Sequence, residues 1–294
     1  NWPGTRRIAG PELMQHMRDH VTDLGVSIVD EDFTKLEGAY PHFVVTAGDK
    51  TYEGKTVIVS TGEDTKWLGV PNEERLRGRG ISSCAPCDAF FFKGRPVAVV
   101  GGGDSAMEEA QVLAKVASDV IVIHRRDAFK AQKAMIDKVM AMKNVRFLYN
   151  TQVIDVVGEA TLTGILLKTD PVAPKQGVKT LDELVATFGG TLRQAQGKQT
   201  DGNWILRRAG LFVAIGHVPN TRYVTNVDLD SHGYVKRYEE RDENGLLKYF
   251  TKTNTPGIFT AGDVHDTRYK QAVTAAAFGC MAALDVQRWL AEHE

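Results

Sequence analysis

Residues 96–106 read Pro-Val-Ala-Val-Val-Gly-Gly-Gly-Asp-Ser-Ala, a short β-branched run that leads directly into three glycines. Good helix formers follow from 106 to 116, and a second apolar run occupies 120–123. The order strand, glycine turn, helix, strand is that of a βαβ unit, whose two strands lie parallel in one sheet. The stretch therefore predicts an α/β domain.

The glycine turn itself fits the pattern G-x-G-x-x-A, formed by Gly101, Gly103, Asp104, Ser105 and Ala106. Glycines at these places let backbone N–H groups approach a pyrophosphate at the N-terminus of the helix. The pattern alone is weak, but its position between a predicted strand and a predicted helix favours a dinucleotide site.

A basic cluster follows the second strand of this unit. An NAD-selective unit usually places Asp or Glu there, but this sequence has His124-Arg125-Arg126, with Lys130 shortly after. Two guanidinium groups can hold a phosphate dianion bidentately, and the lysine adds a point charge. The cluster predicts recognition of the 2′-phosphate of NADPH; the alternative is a solvated basic turn.

Two cysteines lie in Cys84-Ala-Pro-Cys87, within reach of each other for a disulfide. A zinc site would need two further Cys or His ligands at matching spacing, which the distant Cys280 does not supply. Cys280 lies among small residues and is expected to be buried and inert. A redox-active pair is favoured over zinc or a purely structural disulfide.

Two aspartates have candidate roles. Asp88 directly follows the second cysteine, where its carboxyl group can exchange a proton with a thiolate; a helix N-cap is a compatible alternative. Asp263 ends the run Thr260-Ala-Gly-Asp, where it can accept a hydrogen bond from a ribose or ribityl hydroxyl.

The composition is that of an ordinary globular protein of 294 residues, with 36 basic and 37 acidic side chains. This balance argues against nucleic acid or an anionic membrane surface as a partner. The longest weakly polar stretch, 272–286, is too short to span a bilayer, and the first residues do not resemble a secretory signal. A cytoplasmic redox protein is the expectation.

The remaining pattern predicts further elements on both sides of this unit. Helices are expected at 10–24, 128–142, 181–188 and 270–290, and strands at 26–29, 43–47, 56–60, 145–149, 211–215 and 257–261.

Five blocks of the sequence resemble the low-molecular-weight thioredoxin reductases in order and spacing. They are Cys84–Asp88, Gly101–Ala106, His124–Arg126, Ala-Ile-Gly-His-Val-Pro-Asn at 214–220 and Thr260–Asp263. Asn-Trp-Pro-Gly at 1–4 and Tyr-Lys-Gln-Ala-Val at 269–273 also look like that family. The match extends over almost the whole chain.

The resemblance implies an α/β fold with two Rossmann-like nucleotide-binding domains. Residues 1–64 and 213–294 would form a discontinuous FAD-binding domain. Residues 65–212 would form the NADPH-binding domain that carries the dithiol, with an insertion at about 170–203. The resemblance also implies a homodimer and thioredoxin as the protein substrate.

Residue roles follow from the same resemblance. Cys84 and Cys87 would be the redox pair, Asp88 the acid/base, and Arg125, Arg126 and Lys130 the 2′-phosphate clamp, with a lysine where the family often has arginine. The expected contacts to FAD are Thr61, Gly62, Gly262, Asp263, Gln271 and Ala272.

Two departures from the family pattern stand out. The family begins with another strand and a G-x-G-x-x-G turn for the FAD pyrophosphate, and this sequence starts after that point, so the assigned function is that of the intact protein. The stretch at about 170–203 is longer than in the usual bacterial pattern. It is expected either to form a surface excursion with no catalytic role or to alter partner docking or domain rotation.

The leading hypothesis is that hydride passes from NADPH to FAD, and electrons then pass through Cys84 and Cys87 to thioredoxin. One alternative is the flavoprotein of a peroxide-reducing system, which often uses NADH and passes electrons to a peroxiredoxin; the arginine pair argues against it. The other is a non-catalytic NADPH-sensing module, which has no need of a dithiol beside Asp88.

Overall fold

The computed structural model describes residues 2–5, 8–169, 181–188, 190–192 and 203–293. The described helices are α1 (Gly10–Asp23), α2 (Glu73–Leu76), α3 (Ala85–Asp88), α4 (Asp104–Ala114), α5 (Lys133–Met140), α6 (Leu181–Phe188) and α7 (Ala272–His293), with 3₁₀ turns at Ala89–Phe92 and Gly262–Val264. The first strands are β1 (Phe33–Ala39), β2 (His42–Ala47), β3 (Lys50–Gly54), β4 (Val57–Val59), β5 (Glu63–Thr65), β6 (Ile81–Ser82), β7 (Pro96–Gly101), β8 (Asp119–Ile123) and β9 (Val145–Leu148). They are followed by β10 (Thr151–Val157), β11 (Gly164–Thr169), β12 (Gly190–Leu192), β13 (Asn203–Leu206), β14 (Gly210–Ala214), β15 (His217–Pro219), β16 (Glu240–Arg241), β17 (Leu247–Tyr249) and β18 (Ile258–Thr260).

The chain divides into two compact units. The terminal unit comprises Asn1–Asp64 and Val218–Glu294, and the middle unit comprises Thr65–His217. The chain leaves the middle unit after His217, whereas the sequence predicts this domain boundary after residue 212. The reason is that β14 pairs in parallel with β6 and β7 and so belongs to the middle sheet.

The middle unit is built on a five-stranded parallel sheet with the order β6-β14-β7-β8-β9. Helix α4 connects β7 to β8, and α5 connects β8 to β9, so the predicted βαβ unit is present. The predicted α/β class with a Rossmann-type parallel sheet is confirmed.

Both faces of this sheet are covered, and the alternation of side chains along β7 explains how. Val97 and Val99 point into a core formed with α4, whereas Ala98 and Val100 point into a second core on the opposite face. The second core includes apolar side chains from the antiparallel sheet β10-β11-β13-β12. A fully buried parallel strand of this kind reads as the continuous apolar run seen in the sequence.

The long insertion contains the helix that the sequence predicts, α6. Val185 and Phe188 are buried against the second core, and the guanidinium carbon of Arg146 lies 5.3 Å from the centre of the Phe188 ring. Strand β12 (Gly190–Leu192) also belongs to the predicted insertion, of which residues 170–180, 189 and 193–202 lie outside the described residues.

The terminal unit contains an antiparallel sheet β1-β2-β3, a parallel pair β4-β18 and a short antiparallel pair β16-β17. Phe43, Val59 and Ile258 lie in its main core, and Trp289 of α7 packs with Tyr249 and Phe259 in a smaller one. None of the helices among the described residues is long and apolar enough to cross a membrane.

Besides the domain boundary, three further sequence predictions differ from the structure. Residues 26–29 form no strand, because the Val26 N–H closes the end of α1 on the Val21 carbonyl and the segment pairs with no strand of the described chain. The helix predicted from residue 128 begins at Lys133, because Lys130 and Ala131 donate their N–H groups to the Gly102 carbonyl. Cys280, expected to be buried, is exposed on α7.

An ion-pair network ties the middle sheet together. Asp119 at the start of β8 accepts hydrogen bonds from Arg146 on β9, at 2.8 and 3.1 Å, and from the buried Arg208, at 2.8 Å. Removing the carboxylate charge would leave the Arg208 guanidinium without its partner in a poorly solvated place.

We therefore expect Asp119→Asn to lower the free energy of unfolding by about 2 kcal/mol in urea denaturation followed by circular dichroism. The matched control is Asp137→Asn, which removes the exposed Lys133–Asp137 ion pair and is expected to cost less than about 0.5 kcal/mol. Equal losses in the two variants would contradict this account of the network.

Candidate active site

A cleft of about 710 Å³ in the middle unit opens at the glycine turn that follows β7. Side chains could not replace two of its glycines: a Cβ on Gly101 would collide with the Ala214 carbonyl oxygen, and one on Gly102 with the His124 ring. The turn is therefore glycine because neighbouring groups approach its backbone closely, which also leaves that backbone accessible to a ligand.

The cleft is strongly cationic. Most of the predicted nucleotide-site residues line it, namely Gly101, Gly103, Ser105, His124, Arg125, Arg126 and Lys130. Lys66, which the sequence analysis did not single out, also lines it. Four basic side chains around a glycine-rich helix N-terminus form a site suited to a ligand that carries several phosphates.

The two other predicted residues of this turn have supporting positions and do not line the cleft. Asp104 accepts a hydrogen bond from the Gln132 N–H at 2.8 Å and so holds the segment that carries Lys130. Ala106 is completely buried, against the place where a Gly101 Cβ would lie.

His124 is part of the wall of the cleft and also of its support. Its ring stacks obliquely on Phe129, with centroids 5.2 Å apart, and its Nε2 lies 3.0 Å from the Ala128 carbonyl oxygen. Burial, together with Arg126 and Arg125, lowers the pKa of His124, so the imidazole is neutral at pH 7. The phosphate-binding charge therefore resides in the arginines and lysines.

Cys84 and Cys87 form a disulfide in the middle unit, with the two Cα atoms 5.3 Å apart. Cys84 immediately precedes α3, the single turn of helix that contains Cys87. The disulfide that the sequence predicts between these two cysteines is therefore present.

Asp88 is connected to the disulfide loop through Ser82. The Ser82 hydroxyl donates to an Asp88 carboxylate oxygen at 2.6 Å and accepts the Cys84 N–H at 3.1 Å. Asp88 occupies the N-cap position of the 3₁₀ turn that follows it, but its side chain makes no capping bond there. No sequence pattern indicated Ser82, which lies buried at the end of β6.

A second carboxyl group, also missed, contacts the same loop. Glu109 on α4 accepts the Ala85 N–H at 2.6 Å. Burial raises the pKa of Glu109 to about 7, against the effect of that hydrogen bond, and the neighbouring charges of Glu108 and Asp88 raise it further. Glu109 lies at the edge of the buried face of α4, which is formed by Ala106, Met107, Ala110 and Leu113.

Two large aromatic side chains beside the disulfide face solvent. Phe90 and Phe91 follow Asp88 in the chain, and each is 68% exposed. Adjacent exposed phenylalanines next to a reactive group are typical of a surface that another molecule covers.

The predicted flavin residues lie in the terminal unit. Thr61 and Gly62 follow β4 and are tied to Asn220: the Thr61 hydroxyl donates to the Asn220 carbonyl at 2.6 Å, and the Asn220 N–H donates to the Gly62 carbonyl at 2.9 Å. Gln271 and Ala272 stand at the start of α7. Asp266 holds the loop before them by accepting the N–H groups of residues 268, 269 and 270.

Asp263 has an unusual environment. It follows Gly262 directly after β18, and its Oδ1 is buried without a hydrogen-bond partner among the described residues. Burial and the nearby charges of Glu63 and Asp266 raise its pKa. A buried acceptor of this kind is satisfied when a ligand hydroxyl donates to it.

A hydrogen-bonded cluster beside Asp263 was not predicted. Lys270 donates to Glu63 at 2.6 Å and to the Tyr234 hydroxyl at 2.7 Å, and the Tyr234 hydroxyl donates to Glu63 at 2.7 Å. Burial and the Glu63 carboxylate raise the pKa of Tyr234, which therefore stays protonated. The cluster fixes the segment that leads into Gln271.

Comparison with family models adds a decisive observation to this geometry. The model of the pyridine nucleotide-disulphide oxidoreductases matches residues 6–279. The chain belongs to this family. Membership agrees with a dinucleotide-type cleft and a disulfide on one folding unit, and it implies the use of a flavin and a pyridine nucleotide.

Relatives within the family confirm the predicted resemblance to thioredoxin reductases. The thioredoxin reductase of Mycolicibacterium smegmatis is 39% identical over 296 residues, which cover all of this chain and 83% of that protein. The thioredoxin reductase structure from Streptococcus pyogenes MGAS5005 matches with a TM-score of 0.80 at 31% identity, over 99% of this chain and 84% of that one.

One relative carries a different name. The glucosaminate ammonia-lyase of Pseudomonas fluorescens is 39% identical over 292 residues, covering 99% of this chain and 82% of that protein. Identity alone therefore does not separate the two activities among members of this oxidoreductase family, and the site residues must do so.

The bond from Ser82 to the redox loop allows a direct test. Ser82→Ala removes the acceptor of the Cys84 N–H and the donor to Asp88, and is expected to lower the stability of the oxidised protein by about 1–2 kcal/mol in guanidinium denaturation. The control is Ser83→Ala, whose hydroxyl accepts only a 3.3 Å bond from Thr65 and whose loss is expected to cost less than about 0.5 kcal/mol. An unchanged stability of Ser82→Ala would show that the loop does not depend on this hydroxyl.

Proposed function

We propose that this protein is a thioredoxin-disulfide reductase, which transfers electrons from NADPH through FAD and the Cys84–Cys87 disulfide to oxidised thioredoxin. The observation that carries the proposal is the disulfide itself, which lies in the same folding unit as the nucleotide cleft. The Ala85 N–H of its loop donates to the Glu109 carboxyl group, and the Cys84 N–H donates to the Ser82 hydroxyl, which in turn donates to Asp88. A disulfide with only a structural role does not require nearby carboxyl groups that can exchange protons.

NADPH is the proposed electron donor. Arg125, Arg126 and Lys130 come from the segment after β8, where a ribose-reading residue belongs, and Lys66 adds a fourth cation to the cleft. Their combined positive charge favours the 2′-phosphate of NADPH over the bare hydroxyl of NADH. The same observation disfavours the NADH-dependent flavoprotein of a peroxide-reducing system.

FAD is the proposed flavin, held by the terminal unit. The unpartnered Oδ1 of Asp263 is suited to accept a ribityl hydroxyl, while Thr61, Gly62, Gly262, Gln271 and Ala272 would supply further contacts. The bound flavin would accept hydride from the nicotinamide and pass electrons to the disulfide. The positions of these residues, in the loops after β4 and β18 and at the start of α7, support their role in flavin binding.

Asp88 is the proposed acid/base group. Its carboxylate directly follows Cys87 in the chain and is held by the Ser82 hydroxyl, which also accepts the Cys84 N–H; from there it would exchange a proton with a cysteine as thiols form and are consumed. The exposed Phe90 and Phe91 support a protein as the final acceptor, since they offer an apolar surface next to the disulfide. A homodimer and a cytoplasmic location stay predictions.

The cysteine pair provides the test of this function. Cys84→Ser and Cys87→Ser are each expected to lower NADPH-dependent thioredoxin reduction by about 10³-fold or more, while NADPH still reduces the flavin. Cys280→Ser is the matched control and is expected to leave the rate unchanged, because this thiol lies on α7 in the other folding unit.

Normal thioredoxin reduction by the Cys84 or Cys87 variant would overturn the proposal. Ammonia release from glucosaminate, by the wild-type protein and both variants alike, would point instead to the activity for which the P. fluorescens relative is named. That elimination needs no thiol pair.

The arginine pair tests the choice of nucleotide. Arg125→Ala with Arg126→Ala is expected to raise the KM for NADPH by about 100-fold, since two charge-assisted contacts of about 1.5 kcal/mol each are lost, and to leave the KM for NADH nearly unchanged. Lys133→Ala serves as the control, because Lys133 is exposed and pairs with Asp137. A parallel loss of affinity for both nucleotides would contradict recognition of the 2′-phosphate.

A further inference from the structure

Glu109 contacts the peptide link between the redox cysteines. Its Oε2 accepts the N–H of Ala85, a completely buried residue that directly follows Cys84. The bond connects α4 to α3 across 24 residues of sequence. Because Ala85 directly follows Cys84 in the loop that ends at Cys87, this bond attaches a carboxyl group to the backbone of the redox loop.

The charged groups that act on Glu109 are anionic. Glu108 is its neighbour on α4, and Asp88 faces it from α3. The strands β7 and β14, which also pack against α4, carry no charged residue. Two further elements, β8 and α5, contact α4. Asp119 of β8 pairs with Arg146 and Arg208, Lys133 of α5 pairs with Asp137, and Lys138 of α5 is exposed.

Reduction of the disulfide changes the charge next to this group. The S–S bond breaks, two electrons enter, and two sulfurs must take up protons or carry charge. When one sulfur stays ionised, a new negative charge forms in the loop whose backbone Glu109 holds and which Asp88 directly follows. Like charges disfavour each other, so a proton bound at Glu109 stabilises the thiolate.

We propose that Glu109 is a positioning residue of the redox centre: it holds the backbone between Cys84 and Cys87 and takes up the proton that one cysteine releases when the reduced pair ionises. Glu109 thereby sets how strongly the dithiol reduces its partner. The proposal deepens the thioredoxin-reductase function and rests on the redox activity of Cys84 and Cys87.

The pKa of Glu109 near 7 places this exchange in the physiological range. Below about pH 7 the group is already protonated in the oxidised protein and takes up nothing on reduction. Above that pH it is ionised in the oxidised protein and binds a proton when the thiolate forms. Reduction should therefore become disfavoured more steeply with rising pH above about 7 than it would without Glu109.

The test is the thiol–disulfide equilibrium of the holoenzyme with dithiothreitol, measured by counting free thiols between about pH 6 and 8.5. In this exchange the protein disulfide breaks and the reagent's two thiols join, so electrons and protons balance. Glu109→Gln keeps an oxygen that accepts the Ala85 N–H but removes the charge. It is expected to shift the equilibrium toward the dithiol by about tenfold at about pH 8, equivalent to about 30 mV, and to abolish the bend near pH 7.

Glu108→Gln is the matched control, since it removes the same charge from the neighbouring, exposed position. It is expected to shift the equilibrium less than about twofold. An equal shift of the thiol–disulfide equilibrium in both variants would show that Glu109 acts only as one of several charges on the helix, and would overturn the proposal. So would a Glu109→Gln protein whose equilibrium and pH dependence match the wild type.

A measurement on the wild-type protein keeps the proposal testable if Glu109→Gln does not fold. Infrared difference spectra with ¹³C-labelled glutamate are expected to show a glutamate carboxyl that gains a proton on reduction at about pH 8. No gain would overturn the role of Glu109. A wild-type disulfide that dithiothreitol reduces but NADPH does not would instead count against the proposed function, so the two failures are distinguishable.

Discussion

The N–H groups of the consecutive residues Cys84 and Ala85 are both hydrogen-bonded to side chains. The Ser82 hydroxyl accepts the Cys84 N–H and donates to the Asp88 carboxylate, and the Glu109 carboxyl group accepts the Ala85 N–H directly. Since a buried N–H group must find a partner, these bonds fix the loop on which the disulfide depends. They also attach two ionisable carboxyl groups to the loop, Glu109 directly and Asp88 through Ser82.

This arrangement depends in turn on the helix that starts at the glycine turn. Helix α4 begins at Asp104, beside the cationic cleft, and about 8 Å along its axis it presents Glu109 to Ala85. The apolar face of the same helix packs on the parallel sheet through Ala106, Met107, Ala110 and Leu113. One βαβ unit therefore holds both the nucleotide cleft and the support of the disulfide.

The sequence predicted the parts of the site that are contiguous motifs. Some site residues can be recognised from sequence without knowledge of the fold: the glycine turn, the arginine pair and the cysteine pair. Others could not be predicted, because each contacts a group distant in sequence or belongs to no recognisable pattern: Ser82, Glu109 and Lys66. For Glu109 alone, a position at the edge of the apolar face of its helix indicated a role.

The errors in the fold have a similar origin, since tertiary contacts override local pattern. Val26 to Val29 have the composition of a strand but find no strand to pair with in the described chain. Helix α5 begins at Lys133, later than predicted, because the N–H groups of Lys130 and Ala131 donate to the Gly102 carbonyl. Small neighbours suggested that Cys280 was buried, yet the buried residues of α7, Ala282 and Trp289, lie elsewhere on the helix.

The central claim is that the Cys84–Cys87 disulfide stores electrons in addition to the flavin. Anaerobic titration of the holoenzyme with NADPH, with free thiols counted at each point, tests this directly in the wild type and in Cys87→Ser. Flavin and disulfide each accept two electrons, so the wild type should consume about two equivalents and the variant about one. A wild type that consumes only one equivalent and gains no free thiol would contradict the account.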